Sequence, residues 1–157
     1  TTLVVVKEAI LGKVSRKIPS MMDYKVHIDK ESMFNTPPVF AVYTSMLTLE
    51  WLKSLGGIEA IEKENFKKAR LMYSEIDLNP LFKGFAATAD RSTMNATFSL
   101  IDDKLKDTFD AMWKEAGING LNGHRSVGGY RASMYNALPL ESVATLVDVM
   151  SELERKA

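Results

Sequence analysis

The sequence predicts an α+β unit in which a small mixed or antiparallel sheet carries helices on one face. Three observations lead there. Two strand-like stretches, residues 81–87 and 94–100, follow each other across a turn, and the second alternates Met94, Ala96, Phe98 and Leu100 on one side. A third strand-like stretch, 130–136, comes only after an intervening helix. The helices in this half are apolar on a single stripe, so they have one face to bury.

Each element has a local reason. Residues 3–6 (LVVV) are a continuous apolar run, the pattern of a strand buried on both faces. A short helical turn follows at Glu8, Ala9, Ile10 and Leu11, closed by Gly12. Residues 16–30 mix charge with Pro19 and read as loop, with one strand expected at 24–28. Residues 39–54 are apolar nearly all round, so this helix is expected to be buried on most sides or against a partner subunit. Gly56 and Gly57 stop it. The next helix, 58–76, sets Ile58, Ile61, Ala69, Met72, Tyr73 and Ile76 on one face and Glu62, Lys63, Lys67 and Lys68 on the other. Asp102 and Asp103 place acid at the positive end of a helix whose buried stripe is Leu105, Phe109, Met112, Trp113 and Ala116, with Gly117 as its cap. Pro139 opens the last helix, and Leu140, Val143, Leu146, Val147, Met150 and Leu153 form its inner face. Residues 1–36 complete no core of their own and read as the tail of a neighbouring domain, with 37–157 as the small domain.

Bulk composition narrows the function. Apolar residues make up 46% of the 157 and charged residues 25%, which fits a globular domain. Twenty basic residues offset twenty acidic ones, so no global field draws nucleic acid or an anionic membrane, and any anion recognition must be local. The absence of cysteine removes thiolate chemistry and fits a reducing cytosol. The first residues have neither a basic leader nor a long apolar core, so no secretory signal is read there. There is no G-x-S-x-G elbow, dinucleotide fingerprint or P-loop.

Three stretches could carry chemistry. NGHRSVGGYRASMYN (122–136) sets His124, Arg125 and Arg131 among glycines that permit close backbone approach. An arginine fork matches carboxylate or phosphate oxygens two at a time, so the stretch suits a small, multiply charged anion. The same residues also read as a solvated basic loop, or as arginines paired with surface acids. In FNTPP, Asn35 and Thr36 can donate to a phosphate before a proline-stiffened helix start, or can cap that helix. Arg91, in ADRSTMN, reads as structural, paired with Asp90 or Glu75. His27 lacks the neighbours a metal site needs, so no metal is expected.

Taken in order and spacing, SMFNTPPVFAVY, WLKSLGGIEAIEKENFKKARLMY, ADRSTMNATF and GLNGHRSVGGYRASMYNALPLESVATLV resemble the C-terminal half of the phosphoserine aminotransferases. The resemblance covers essentially the whole chain. It implies an α/β parent of fold-type I that uses pyridoxal 5'-phosphate, works in the cytoplasm as a homodimer, and moves an amino group between glutamate and 3-phosphohydroxypyruvate. The phosphohydroxythreonine step of cofactor synthesis is a further implied activity. Residues 1–36 would then be the tail of the large cofactor-binding domain. Asn35 and Thr36 would reach the cofactor phosphate of the other subunit. His124 and Arg125 would hold the substrate phosphate, and Arg131 its α-carboxylate. The lysine that joins the cofactor in this family stands in a Gln-Lys-Asn-type turn just before the stretch matched by TTLVVV, and neither Lys7 nor Lys13 fits that motif. No catalytic residue is therefore expected in this chain, which alone should be inactive. The alternative is a non-catalytic anion-binding or oligomerisation module. A regulatory domain sensing an amino acid accounts for the order of elements, but not for the spacing of His124, Arg125 and Arg131.

Overall fold

The computed structural model describes residues 1–157 and divides them into two compact units, Thr1–Ser54 and Leu55–Ala157. The helix expected to open the small domain thus groups with the first unit.

In the first unit no side chain is buried. Residues 3–6 are not a strand; Val5 is 90% exposed, and a strand buried on both faces needs neighbours that this unit does not supply. Short 3-10 turns follow at Glu8–Ile10 and Ser20–Met22. The strand expected at 24–28 is instead helix α1 (Tyr24–Asp29), because Asp23 caps it, accepting from the Lys25 amide at 3.0 Å. Helix α2 (Val39–Ser54) forms where expected, but its apolar circumference stays uncovered within the chain, with Phe40 80% exposed. Its hydroxyls deepen that apolar character. Thr44, Ser45 and Thr48 each turn back to a carbonyl four residues earlier, at 2.7–3.0 Å.

The second unit is the expected α+β layer. Strands β1 (Phe82–Gly84), β2 (Asn95–Leu100) and β3 (Tyr130–Ser133) form an antiparallel sheet in that order. Helices α3 (Gly57–Leu78), α4 (Lys106–Glu115) and α5 (Leu140–Lys156) pack on one face of it. The period-two pattern of β2 decides which face. Ala96, Phe98 and Leu100 point inward with Phe82, Tyr130 and Ala132, and meet Met72, Ile76, Phe109, Trp113, Val143, Met150 and Leu153 from the helices. Phe109 stands edge-on to both Phe82 (5.2 Å) and Tyr130 (4.9 Å), which locks α4 over the sheet. The alternate residues, Thr97, Ser99, Arg131 and Ser133, belong to the open face.

Helix α4 is entered through Asp102, whose carboxylate accepts from the Lys104 amide at 2.9 Å. It closes at Gly117 (φ +76°), with the Ile118 amide on the Trp113 carbonyl at 3.0 Å. Two expectations about charged residues fail. Lys68 is not on the polar face of α3. It is 1% exposed, and its ammonium donates to the carbonyls of Met134 (3.1 Å), Tyr135 (2.8 Å) and Leu138 (3.0 Å). Those carbonyls belong to the turn that follows β3, which ends at Ser133 and not at 136. Arg91 is structural, but its partner is neither Asp90 nor Glu75. Its fork grips Asp77 at 2.6 and 2.7 Å while lying 4.6 Å from the centre of the Tyr73 ring. Glu75 is taken by Asn79 and Ser151.

Phe109 is fully buried, and truncation would open a cavity between α4 and the sheet. Phe109→Ala should destabilise this unit by about 3–5 kcal/mol in denaturant unfolding, with little change in slope.

Candidate functional site

The 121–129 segment is a loop folded back on β3. The Arg131 amide donates to the Leu121 carbonyl at 2.7 Å, and Asn122 bridges Tyr130, so the loop closes against the outer edge of the strand. Two glycines make the crossing possible. The Gly123 amide bonds the Gly129 carbonyl at 2.9 Å, and a Cβ on Gly123 would sit 2.1 Å from the Gly128 carbonyl oxygen. Gly129 has φ +63°, and its Cβ would lie 2.6 Å from the Phe98 carbonyl oxygen.

Inside this crossing the turn is closed by the His124 carbonyl, which accepts from the amides of Val127 (2.9 Å) and Gly128 (2.8 Å). The Ser126 amide and hydroxyl both approach His124 Nδ1, at 3.3 and 2.7 Å. An amide can only donate, so Nδ1 accepts and the ring hydrogen of the neutral imidazole is assigned to Nε2. His124 therefore keeps a donor at Nε2, beside Arg125 in the same exposed turn.

Arg131 stands on the open face of the sheet, directly opposite Thr97 in the register of β2 and β3. It also lines a groove of about 300 Å³ between the 116–121 segment, the edge of β3 and the start of α5, and it is the only charged residue there. Neither Arg125 nor Arg131 forms an ion pair within the chain. These arginines therefore do not neutralise acids of this chain, and both forks are uncompensated within it.

The base of the loop is fixed by a carboxylate that no sequence motif singles out. Asp110 on α4 accepts from Tyr130 Oη (2.9 Å) and Trp113 Nε1 (3.0 Å), and pairs with Lys106. Burial pushes its carboxyl upward, but the hydrogen bonds from Lys106, Trp113 and Tyr130 outweigh that and hold it below the usual range. The Tyr130 hydroxyl is pushed well above its usual value, first by burial and then by donating to Asp110. The spacing of Lys106, Asp110 and Trp113 on one helix side was the signal available. For Lys68 it was the inner stripe it shares with Ala69, Met72 and Ile76.

Asn35 and Thr36 lie in the first unit. Neither caps α2, which begins at Val39, and Asn35 Nδ2 donates to the Thr36 carbonyl at 3.2 Å. His27 Nε2 is 2.9 Å from the Met21 carbonyl, a local structural contact. No group of His, Asp and Glu side chains could hold a metal ion, and no helix is long and apolar enough to cross a membrane.

The strand that bears Arg131, the glycine-crossed turn beside it and the helix-backed sheet under both make up the candidate site. Residues 1–146 match the family described as aminotransferase class-V, and the chain belongs to it. Within that family it is similar to phosphoserine aminotransferases. It is 69% identical over 156 residues to that of Flavobacterium psychrophilum, covering 99% of this chain and 44% of the relative. A solved phosphoserine aminotransferase, studied for radiation damage of its Schiff base, aligns over 97% of this chain and 42% of its own, with TM-score 0.88 and 44% identity. The pyridoxal-phosphate-bound enzyme of Trichomonas vaginalis aligns over 88% and 40%, with TM-score 0.79 and 36% identity. The chain thus spans under half the length of these relatives, and its fold is that of the matching part of fold-type I enzymes.

Asp110 makes the unit's stability depend on acid. With its folded carboxyl held low, the contribution is complete above the ordinary aspartate value of 3.8 and is lost as pH falls through the depressed value. Thermal melts of Asp110→Asn should be lower than wild type near neutrality and should lack this acid-range loss.

Proposed function

We propose that this chain is the C-terminal part of a phosphoserine aminotransferase, which transfers an amino group between glutamate and 3-phosphohydroxypyruvate in serine biosynthesis. The observation that carries the reading is the pair of uncompensated forks in this family setting: Arg125 with His124 in one turn, Arg131 on the adjoining strand. A substrate with phosphate at one end and carboxylate at the other needs two separate cationic grips. His124 and Arg125 take the phosphate, and Arg131 takes the α-carboxylate two oxygens at a time. The phosphohydroxythreonine substrate of cofactor synthesis offers the same two ends and falls within the proposal.

The residues present also fit the family's cofactor. Asn35 and Thr36 are exposed and free of capping duty, so an amide and a hydroxyl remain to donate to the phosphate of pyridoxal 5'-phosphate, in the subunit across a homodimer. When bound, that cofactor supplies the electron sink for amino transfer. This chain's own residues bind and orient substrate. The lysine that attaches the cofactor has no counterpart among them, and the chain is proposed to be inactive alone. The exposed apolar surface of α2 supports the homodimer, and the absence of cysteine accords with a cytoplasmic enzyme.

Two measurements test this. The purified 157-residue chain, given pyridoxal phosphate, glutamate and phosphohydroxypyruvate, should show no turnover, and sustained turnover would overturn the inactivity. In the full-length enzyme, Arg131→Lys should raise KM for glutamate and for phosphoserine by about 10- to 100-fold, since one ammonium cannot replace a fork. Unchanged values would contradict the assignment.

A further inference from the structure

Lys68 is the only charged side chain buried in the chain, and no carboxylate pairs with it. All three of its N–H donors are spent on the carbonyls of Met134, Tyr135 and Leu138, in the turn between β3 and α5. Burial lowers its proton affinity, partly offset by Glu64. A buried cation is a costly way to hold a turn, so what that turn supports matters.

The turn is tied to the open face of the sheet. Tyr135 Oη accepts from Asn95 Nδ2 at 3.1 Å, and Asn95 Oδ1 accepts from Ser133 Oγ at 3.3 Å. Asn136 Oδ1 accepts from Asn65 Nδ2 at 2.8 Å, a second tether to α3. Asn95 and Ser133 are opposite each other in register, in the row beside Thr97 and Arg131. A continuous path therefore runs from the Lys68 ammonium to the surface that bears Arg131. The side chains of the loop carrying His124 and Arg125 are outside that path. The loop meets β3 through backbone bonds, including the Arg131 amide on Leu121, and is held by the glycine crossing and by Asp110 through Tyr130.

We propose that Lys68 is a positioning residue for Arg131, fixing the carboxylate end of the substrate site while leaving the phosphate end untouched. This rests on the assignment of Arg131 to carboxylate and of His124 with Arg125 to phosphate. Without the three donors, the turn releases Tyr135, and Asn95 and Ser133 lose their fixed geometry beside the fork.

The test uses the full-length enzyme containing this chain. Lys68→Met should raise KM for glutamate about tenfold, as loss of support behind a ligand-holding group does. The inhibition constant of inorganic phosphate should change less than about twofold. A parallel loss of glutamate and phosphate binding would mean general loosening and would overturn the proposal, as would an unchanged KM for glutamate. Should Lys68→Met fail to accumulate as folded protein, Tyr135→Phe cuts the same path at the surface. It should raise KM for glutamate about threefold with phosphate inhibition unmoved, and no change in that KM would overturn the proposal. Arg131→Lys measured alongside separates the two ideas. If it leaves glutamate binding intact, the carboxylate assignment fails. If it weakens glutamate binding and the Lys68 and Tyr135 variants do not, only the positioning role fails.

Discussion

The hydrogen bond from Tyr130 to Asp110 is the constraint on which the candidate site depends. Tyr130 is buried, stacked on Phe98 at 5.5 Å and edge-on to Phe109, so its hydroxyl needs an acceptor. Asp110 is that acceptor, and it also satisfies the Trp113 indole and pairs with Lys106. One carboxylate thereby sets where α4 sits along β3. Gly129 immediately precedes Tyr130, so the cationic turn leaves the sheet at a fixed point, and Arg131 immediately follows it on the opposite face.

Charge is divided by position with little waste. The chain has no net charge, so attraction for an anion has to come from a few uncompensated groups. Arg91 shows what a structural arginine looks like here: 14% side-chain exposure, a bidentate aspartate, an aromatic ring beneath. Arg125 and Arg131 have none of these. The same residue type is fastened by an aspartate and a ring in one place and carries no acid partner in two others.

The period-two run at Met94 to Leu100 and the single stripes of α4 and α5 were legible in the sequence because their burial depends on periodicity alone. The LVVV run was not, since an apolar run reads as strand only where neighbouring strands exist to pair with it. Residues 24–28 went to helix because one cap, Asp23, outweighed a β-like composition. Lys68 reads as a polar-face residue because hydropathy assigns lysine to solvent, although it borders the stripe of Ala69, Met72 and Ile76. The three carbonyls that draw it inward lie sixty-six to seventy residues away. The cationic residues of the site were all visible as a motif. Their freedom from ion pairs was not, because it depends on which acids the fold brings near.

The proposed division of labour sets a phosphate at the turn holding His124 and Arg125 and a carboxylate at Arg131. The most direct measurement compares phosphoserine with serine as amino donors in the full-length enzyme, with and without Arg125→Ala. Wild type should strongly prefer the phosphorylated donor, and the substitution should remove most of that preference while serine itself is handled as before. A preference retained in full by Arg125→Ala would contradict it.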